Sequence, residues 1–114
     1  MPWTIRVQRK FNAAHFLTDY HGKPEPLHGH TWRVEVYIEA RELDGGGMGV
    51  DFLEVDAVLK ELLPDYRLLN DVYDFSPSAE NVARWVYEKL KERFPSLKKV
   101  VVWETENCGA EYSE

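Results

Sequence analysis

Two histidines stand two residues apart in LHGHTW (Leu27 to Trp32), and a third, His15, closes FNAAH (Phe11 to His15). A neutral imidazole offers one ring nitrogen to a metal and suits several divalent ions. Three such ligands with an open fourth position are the donor set of a catalytic zinc, which polarises carbonyl or hydroxyl oxygens. A lone HxH pair means little, because a histidine at a strand end is usually an ordinary polar residue. The metal reading therefore depends on whether the fold brings His15 to His28 and His30.

The elements that must do this are visible as alternation. From Trp3 to His15, the residues Ile5, Val7, Phe11, Ala13 and His15 alternate with Thr4, Arg6, Gln8, Lys10 and Asn12, although Arg9 interrupts the apolar row. Period two predicts a strand with one buried face. A second strand sets His28, His30, Trp32, Val34, Val36, Ile38 and Ala40 on one face, with Thr31, Arg33, Glu35 and Glu39 opposite. Between them, Leu17 to Leu27 holds Gly22, Pro24 and Pro26 and reads as a loop. Paired as antiparallel neighbours, the end of the first strand meets the start of the second. If both histidine-bearing faces point inward, three imidazoles converge at one rim of the sheet.

The rest of the chain supplies a cover. DGGGMG (Asp44 to Gly49) is a turn, and Asp51 is a candidate N-cap for a helix carrying Phe52, Val55, Leu59 and Leu62 up to Pro64. Met48 and Phe52 read as packing residues. Ser76 or Ser78 opens a second helix, Pro77 suits its first turn, and Val82, Ala83, Val86, Leu90 and Phe94 form its stripe before Pro95. KKVVVWET (Lys98 to Thr105) is a third strand, and GAEYSE (Gly109 to Glu114) a short fourth. The order ββααββ predicts an α+β domain over residues 1–114, an antiparallel sheet with two helices on one face.

Composition bounds the partners. The 114 residues carry a formal net charge of −6, which disfavours a general nucleic-acid or anionic-membrane surface but leaves a local basic pocket for a small anion. No apolar run is long enough to span a bilayer and no signal-peptide pattern is visible, so a cytoplasmic chain is expected. The one cysteine, Cys108, has no intrachain partner, which fits a reducing compartment.

Taken together, the motifs resemble the 6-pyruvoyl-tetrahydropterin synthase family, which includes 6-carboxytetrahydropterin synthase of the queuosine pathway. FNAAH and LHGHTW resemble its two zinc motifs, and GMGVDF (Gly47 to Phe52) its strand-to-helix junction. PSAEN (Pro77 to Asn81) resembles the opening of its second helix, and WET (Trp103 to Thr105) its pterin-anchoring strand. The resemblance implies a ββααββ tunnelling-fold unit whose sheets join into a barrel across subunits, typically a homo-hexamer with active sites between subunits. It implies Zn2+ held by His15, His28 and His30, and a dihydroneopterin triphosphate substrate bound through its side-chain hydroxyls. Glu104, with Thr105 beside it, would anchor the pterin, since a carboxylate accepts two parallel N–H bonds from an amino-pyrimidine edge.

Two positions depart from the family pattern. Members that form the pyruvoyl or carboxy product usually carry a cysteine base four residues before HGH, where this chain has Pro24. Glu25 gives EPLHGH instead, resembling a branch in which ExxHGH supplies a glutamate base and the product is 6-hydroxymethyl-dihydropterin, feeding folate synthesis. The other departure is Asp65-Tyr66, where the family has an Asp-His proton relay. A phenol is a poor base near neutral pH, though it can donate a proton. His21 reads first as a plain loop histidine and second as a substitute imidazole for the relay; Ser78, Glu80 and Asn81 read first as a helix cap and first turn and second as a pterin-contacting element. Arg9, Lys10 and Lys23 could meet the triphosphate or form a solvated face. Three activities follow: a zinc-dependent lyase using Glu25 as base, a 6-carboxy- or 6-pyruvoyl-forming enzyme, and a pterin-binding protein without turnover.

Overall fold

The alternation of the first two segments is realised as a long hairpin. In the computed structural model, which describes residues 2–114, β1 (Trp3–His15) pairs antiparallel with β2 (His28–Ala40) along their whole length. The inner face is the one that period two marks: Ile5, Phe11 and Ala13 of β1 and Trp32, Val34, Val36 and Ile38 of β2 are buried. Arg9 interrupts that face without being stranded there. Its guanidinium holds both carboxylate oxygens of Asp56 at 2.8 and 3.0 Å, tying β1 to the helix above it.

That helix, α1 (Phe52–Leu62), starts at Asp51, whose carboxylate accepts the Leu53 N–H at 2.9 Å. The stripe that meets the sheet runs through Val55, Val58 and Leu59. It leaves the first turn outside, so Phe52 is exposed, as is Met48 just before it. Neither packs into the core as expected.

Between the two long helices the structure adds two short elements. β3 (Arg67–Leu68) runs parallel to β1 at Ala13 and Ala14, and α2 (Leu69–Val72) is a single turn. The order is therefore ββαβααββ rather than ββααββ, still an α+β unit. α3 (Ala79–Arg93) is capped by Ser78, whose hydroxyl accepts the Asn81 N–H at 3.1 Å. Pro77 consequently lies just outside the helix and not in its first turn. Ala79, Val82, Ala83, Val86, Tyr87 and Leu90 face the core.

β4 (Leu97–Trp103) returns antiparallel beside β2, and β5 (Gly109–Ser113) beside β4, giving the sheet order β3-β1-β2-β4-β5. Glu104 and Thr105 fall beyond β4, in the connection to β5. Among the described residues no helix is long and apolar enough to cross a membrane.

Candidate functional site

Register decides the site. His15 stands directly opposite His28, and His30 opposite Ala13, so all three imidazoles share the inner face at one end of the hairpin. Ring centroids are 4.6 Å apart for His15 and His28, 5.3 Å for His15 and His30, and 4.7 Å for His28 and His30. Glu104 reaches the same place from the β4–β5 connection. Its Oε1 lies 2.9 Å from His30 Nε2, 3.5 Å from His15 Nε2 and 3.9 Å from His28 Nε2. One ligand atom from each of these four residues lies within 4.8 Å of the others, a group that could hold a metal ion.

Second contacts orient the rings. His15 Nδ1 is 2.8 Å from the Pro77 carbonyl, and His28 Nδ1 is 2.8 Å from the Pro26 carbonyl. A carbonyl only accepts, so each Nδ1 carries the proton and each Nε2 turns a lone pair inward. Those two Nε2 atoms are 3.1 Å apart. Two facing lone pairs repel, and a shared cation removes the repulsion. His30 Nε2 is buried and, despite the nearby Glu104, has no hydrogen bond of acceptable geometry. An orphaned buried nitrogen costs about 1–3 kcal/mol unless something binds it. The donor set therefore fits a metal.

Burial holds the His30 imidazole below the usual histidine range; Glu104 opposes that shift, while His28 and His15 add to it. The result favours the neutral, ligating form. Trp32, fully buried, is the floor of the site: its indole N–H donates to the Ala13 carbonyl at 3.2 Å and its ring meets His15 edge-on at 4.7 Å.

Glu25 is not a solvated loop residue. Its N–H donates to the Leu17 carbonyl at 3.0 Å, and its Oε1 accepts the Leu17 N–H at 3.0 Å. The same Oε1 lies 3.9 Å from His28 Nε2, and the side chain is only 16% exposed. This clamp belongs to a series. Where the chain leaves β1, Asn70 Oδ1 accepts the Phe16 N–H, Glu25 accepts that of Leu17, and Ser76 Oγ accepts that of Thr18. Asn70 Nδ2 also donates to the Phe16 carbonyl, at 2.9 Å.

Asp65 and Tyr66 lie at the edge of β1, where Tyr66 lines a cavity of about 370 Å³ together with Gly29 and His30. Asp65 Oδ1 accepts the Asn12 N–H at 2.8 Å, and the Tyr66 N–H donates to the Asn12 carbonyl at 2.6 Å. The pair thus fastens the outer edge of β1. Tyr66 sits in the left-handed region (φ 58°) with 82% exposure, and no hydrogen bond joins it to the histidines. Thr105 Oγ1 accepts the N–H groups of Asn107 and Cys108, shaping the connection that presents Glu104. His21 packs on Tyr20 at 4.5 Å, outside the cluster. The contributions of Pro26, Pro77, Asn70 and Ser76 were not foreseen. The first two act through backbone carbonyls, which carry no side-chain signature, while Trp32 could have been found from its place beside His30 on the inner face.

Comparisons with known proteins converge on one family. The sequence model of 6-pyruvoyl tetrahydropterin synthase matches residues 4–114. A 6-carboxy-5,6,7,8-tetrahydropterin synthase of Synechocystis is 37% identical, covering 96% of this chain and 92% of the relative. A dihydroneopterin monophosphate aldolase of Pyrococcus furiosus is 39% identical, covering 94% of each. Among solved structures, 6-pyruvoyl tetrahydropterin synthase of Caenorhabditis elegans superposes with a TM-score of 0.85 at 26% identity, covering 100% of this chain and 96% of that one.

Proposed function

The chain belongs to the 6-pyruvoyl tetrahydropterin synthase family, and from that premise we propose a zinc-dependent lyase that cleaves the side chain of a 7,8-dihydroneopterin phosphate. The product is 6-hydroxymethyl-7,8-dihydropterin. One observation carries this reading: the enclosed carboxylate of Glu25, 3.9 Å from His28 Nε2, in a chain with Pro24 at the family's cysteine position. The 39% identity to a dihydroneopterin monophosphate aldolase supports it.

His15, His28 and His30 would hold the zinc, which when bound supplies Lewis acidity toward the substrate's hydroxyl oxygens. Glu25 takes the proton of the hydroxyl on the second side-chain carbon. The bond between the first and second carbons breaks as that hydroxyl becomes an aldehyde, and the electron pair passes into the ring imine. Return of the proton to the first carbon leaves a hydroxymethyl group on the pterin and releases a phosphorylated two-carbon aldehyde. Glu104 would hold the amino-pyrimidine edge, with Thr105 shaping its approach.

The assembly is proposed to be a homo-oligomer, a hexamer by the family pattern, with active sites between subunits. Support comes from β1, which β3 covers only at Ala13 and Ala14, and from exposed Trp3, Met48, Phe52 and Leu53 around a cavity of about 590 Å³. In that arrangement the exposed Tyr66, with Asp65, would serve a substrate held by a neighbouring copy. The competing reading is 6-carboxytetrahydropterin synthesis, favoured by the 37% identity to the Synechocystis enzyme. The missing cysteine and the tyrosine in place of the relay histidine count against it.

The test is incubation of zinc-loaded protein with dihydroneopterin monophosphate and triphosphate, with products identified by mass spectrometry. 6-Hydroxymethyl-dihydropterin is expected. A 6-carboxy or 6-pyruvoyl product would overturn the assignment, and bound but unchanged pterin would point to a binding protein.

A further inference from the structure

Trp103 is the last residue of β4 and Glu104 the first of the connection beyond it. Their side chains leave the backbone on opposite faces. Glu104 turns inward to the histidines, and Trp103 turns to the face away from the helices, against Arg33. In extended chain successive side chains point oppositely, so a ring held firmly at 103 sets the direction of the carboxylate at 104.

Three neighbours hold that ring. Arg33 is its partner in the register of β2 and β4, with the guanidinium carbon 5.3 Å from the ring centroid. Glu35, two residues further on the same face, accepts the indole N–H. On the other side stands Gly109, the partner of Trp103 in β5. A Cβ there would come within 2.8 Å of the indole and 2.7 Å of the Val102 carbonyl, closer than side chains tolerate. Glycine at 109 therefore leaves the ring its place.

The charges around the ring forgo a simpler arrangement. Arg33 and Glu35 are opposite in sign and adjacent on one strand face, yet among the described residues neither makes an ion pair. Arg33 Nε is buried and has no hydrogen-bond partner. Both side chains engage the indole instead of each other. Packing alone would be served by an aliphatic residue, as at buried Val101, the preceding position on that face of β4. An indole adds an N–H that must find an acceptor and so fixes the rotation of the ring. The connection is tied internally as well: the N–H groups of Glu104 and Thr105 donate to the Cys108 carbonyl at 2.9 and 3.3 Å. Those bonds fix the shape of the turn. Its orientation on the sheet is fixed at Trp103.

We propose that Glu35, Trp103 and Gly109 are positioning residues for Glu104, a clamp on the outer face that sets how its carboxylate meets the histidine cluster. The holding of Glu104 rests on this geometry alone. That it is held for the amino-pyrimidine edge of a pterin rests on the function proposed above. Two parallel hydrogen bonds need both acceptor oxygens in the plane of the donors, so a tilted carboxylate weakens both.

Calorimetry on the zinc-loaded protein tests this with oxidised neopterin as an unreactive probe. Trp103→Phe keeps a ring beside Arg33 and removes the N–H, Glu35→Leu removes the acceptor, and Glu35→Gln retains one. The first two should each weaken neopterin binding by about tenfold and Glu35→Gln by less than about threefold, with bound zinc unchanged. In a Glu104→Gln background, Trp103→Phe and Glu35→Leu should have no further effect, because the residue they act through is already altered. Equal losses in both backgrounds would make the clamp part of the general scaffold and overturn the proposal. So would no loss in either, or a loss of zinc alongside affinity. Gly109→Ala presses on the same ring from the β5 side and should match Trp103→Phe; if it fails to fold, the other variants decide. If the wild-type protein binds no neopterin, the proposed function falls and hydrogen exchange decides the rest. Faster exchange of the Glu104 amide in Trp103→Phe, with the β2 amides unchanged, would still support the positioning of Glu104, and unchanged exchange would overturn that too.

Discussion

Glu25 Oε1 accepts the Leu17 N–H and also faces His28. Glu25→Gln separates these duties, because glutamine keeps an acceptor oxygen and the side-chain size but cannot take up a proton. Turnover should fall by about 10²–10⁴-fold with bound zinc unchanged, read from initial rates and metal analysis of the same preparation. A parallel loss of zinc would mark the residue as structural. Tyr73 makes a different point. It is 7% exposed, stacked on Phe75 at 4.6 Å, and its hydroxyl has no partner. Burial pushes its phenol well above the usual tyrosine range. The folded chain therefore keeps the proton after the unfolded chain has lost it, so this residue's stabilisation is complete below about pH 10 and declines above it. Tyr73→Phe should raise stability by about 1 kcal/mol at neutral pH and reduce the alkaline loss, both measurable by urea unfolding.

Among the elements, β1 and β2 were legible because period two persists over their length and survives even the charged interruption at Arg9. α1 and α3 were legible from caps and apolar spacing, and the histidine cluster followed from the hairpin register. β3 and α2 were not: two and four residues carry no period, and the Asp65 and Tyr66 bonds to Asn12 that precede them are tertiary. The same limit hid the series of side chains that takes the N–H groups of Phe16, Leu17 and Thr18. Glu25 could be suspected from a motif, whereas Asn70 had no signal at all. Asn70→Leu keeps the volume and removes both bonds to Phe16, next to His15, a proposed zinc ligand. Zinc affinity should fall by about 10–100-fold in a competitive chelator titration, with the helical circular dichroism retained. Unchanged affinity would mean that the strand exit does not position the ligand.

At the scale of the whole molecule, one chain leaves apolar surface that its own helices do not cover. Leu53 is 78% exposed and borders the cavity that Trp3, Met48 and Phe52 also line. Exposed patches of this kind commonly mark contacts between chains. Leu53→Glu should lower the mass seen by sedimentation while leaving the fold intact, and turnover should fall with it if active sites lie between subunits. A wild-type monomer at micromolar concentration would refute the assembly.

The three histidines also belong to a single hairpin, whereas Glu104, the fourth member of the group, comes from the β4–β5 connection. A slip of one residue in that pairing would turn every side chain of the slipped strand to the opposite face and break up the cluster. Zinc held by the three histidines, as proposed above, would thus select the correct strand register before the helices and β4 have docked. Its effect should appear in the folding limb of a chevron plot, as faster refolding when zinc is present. Zinc acting only on the finished fold would slow unfolding and leave the refolding rate untouched.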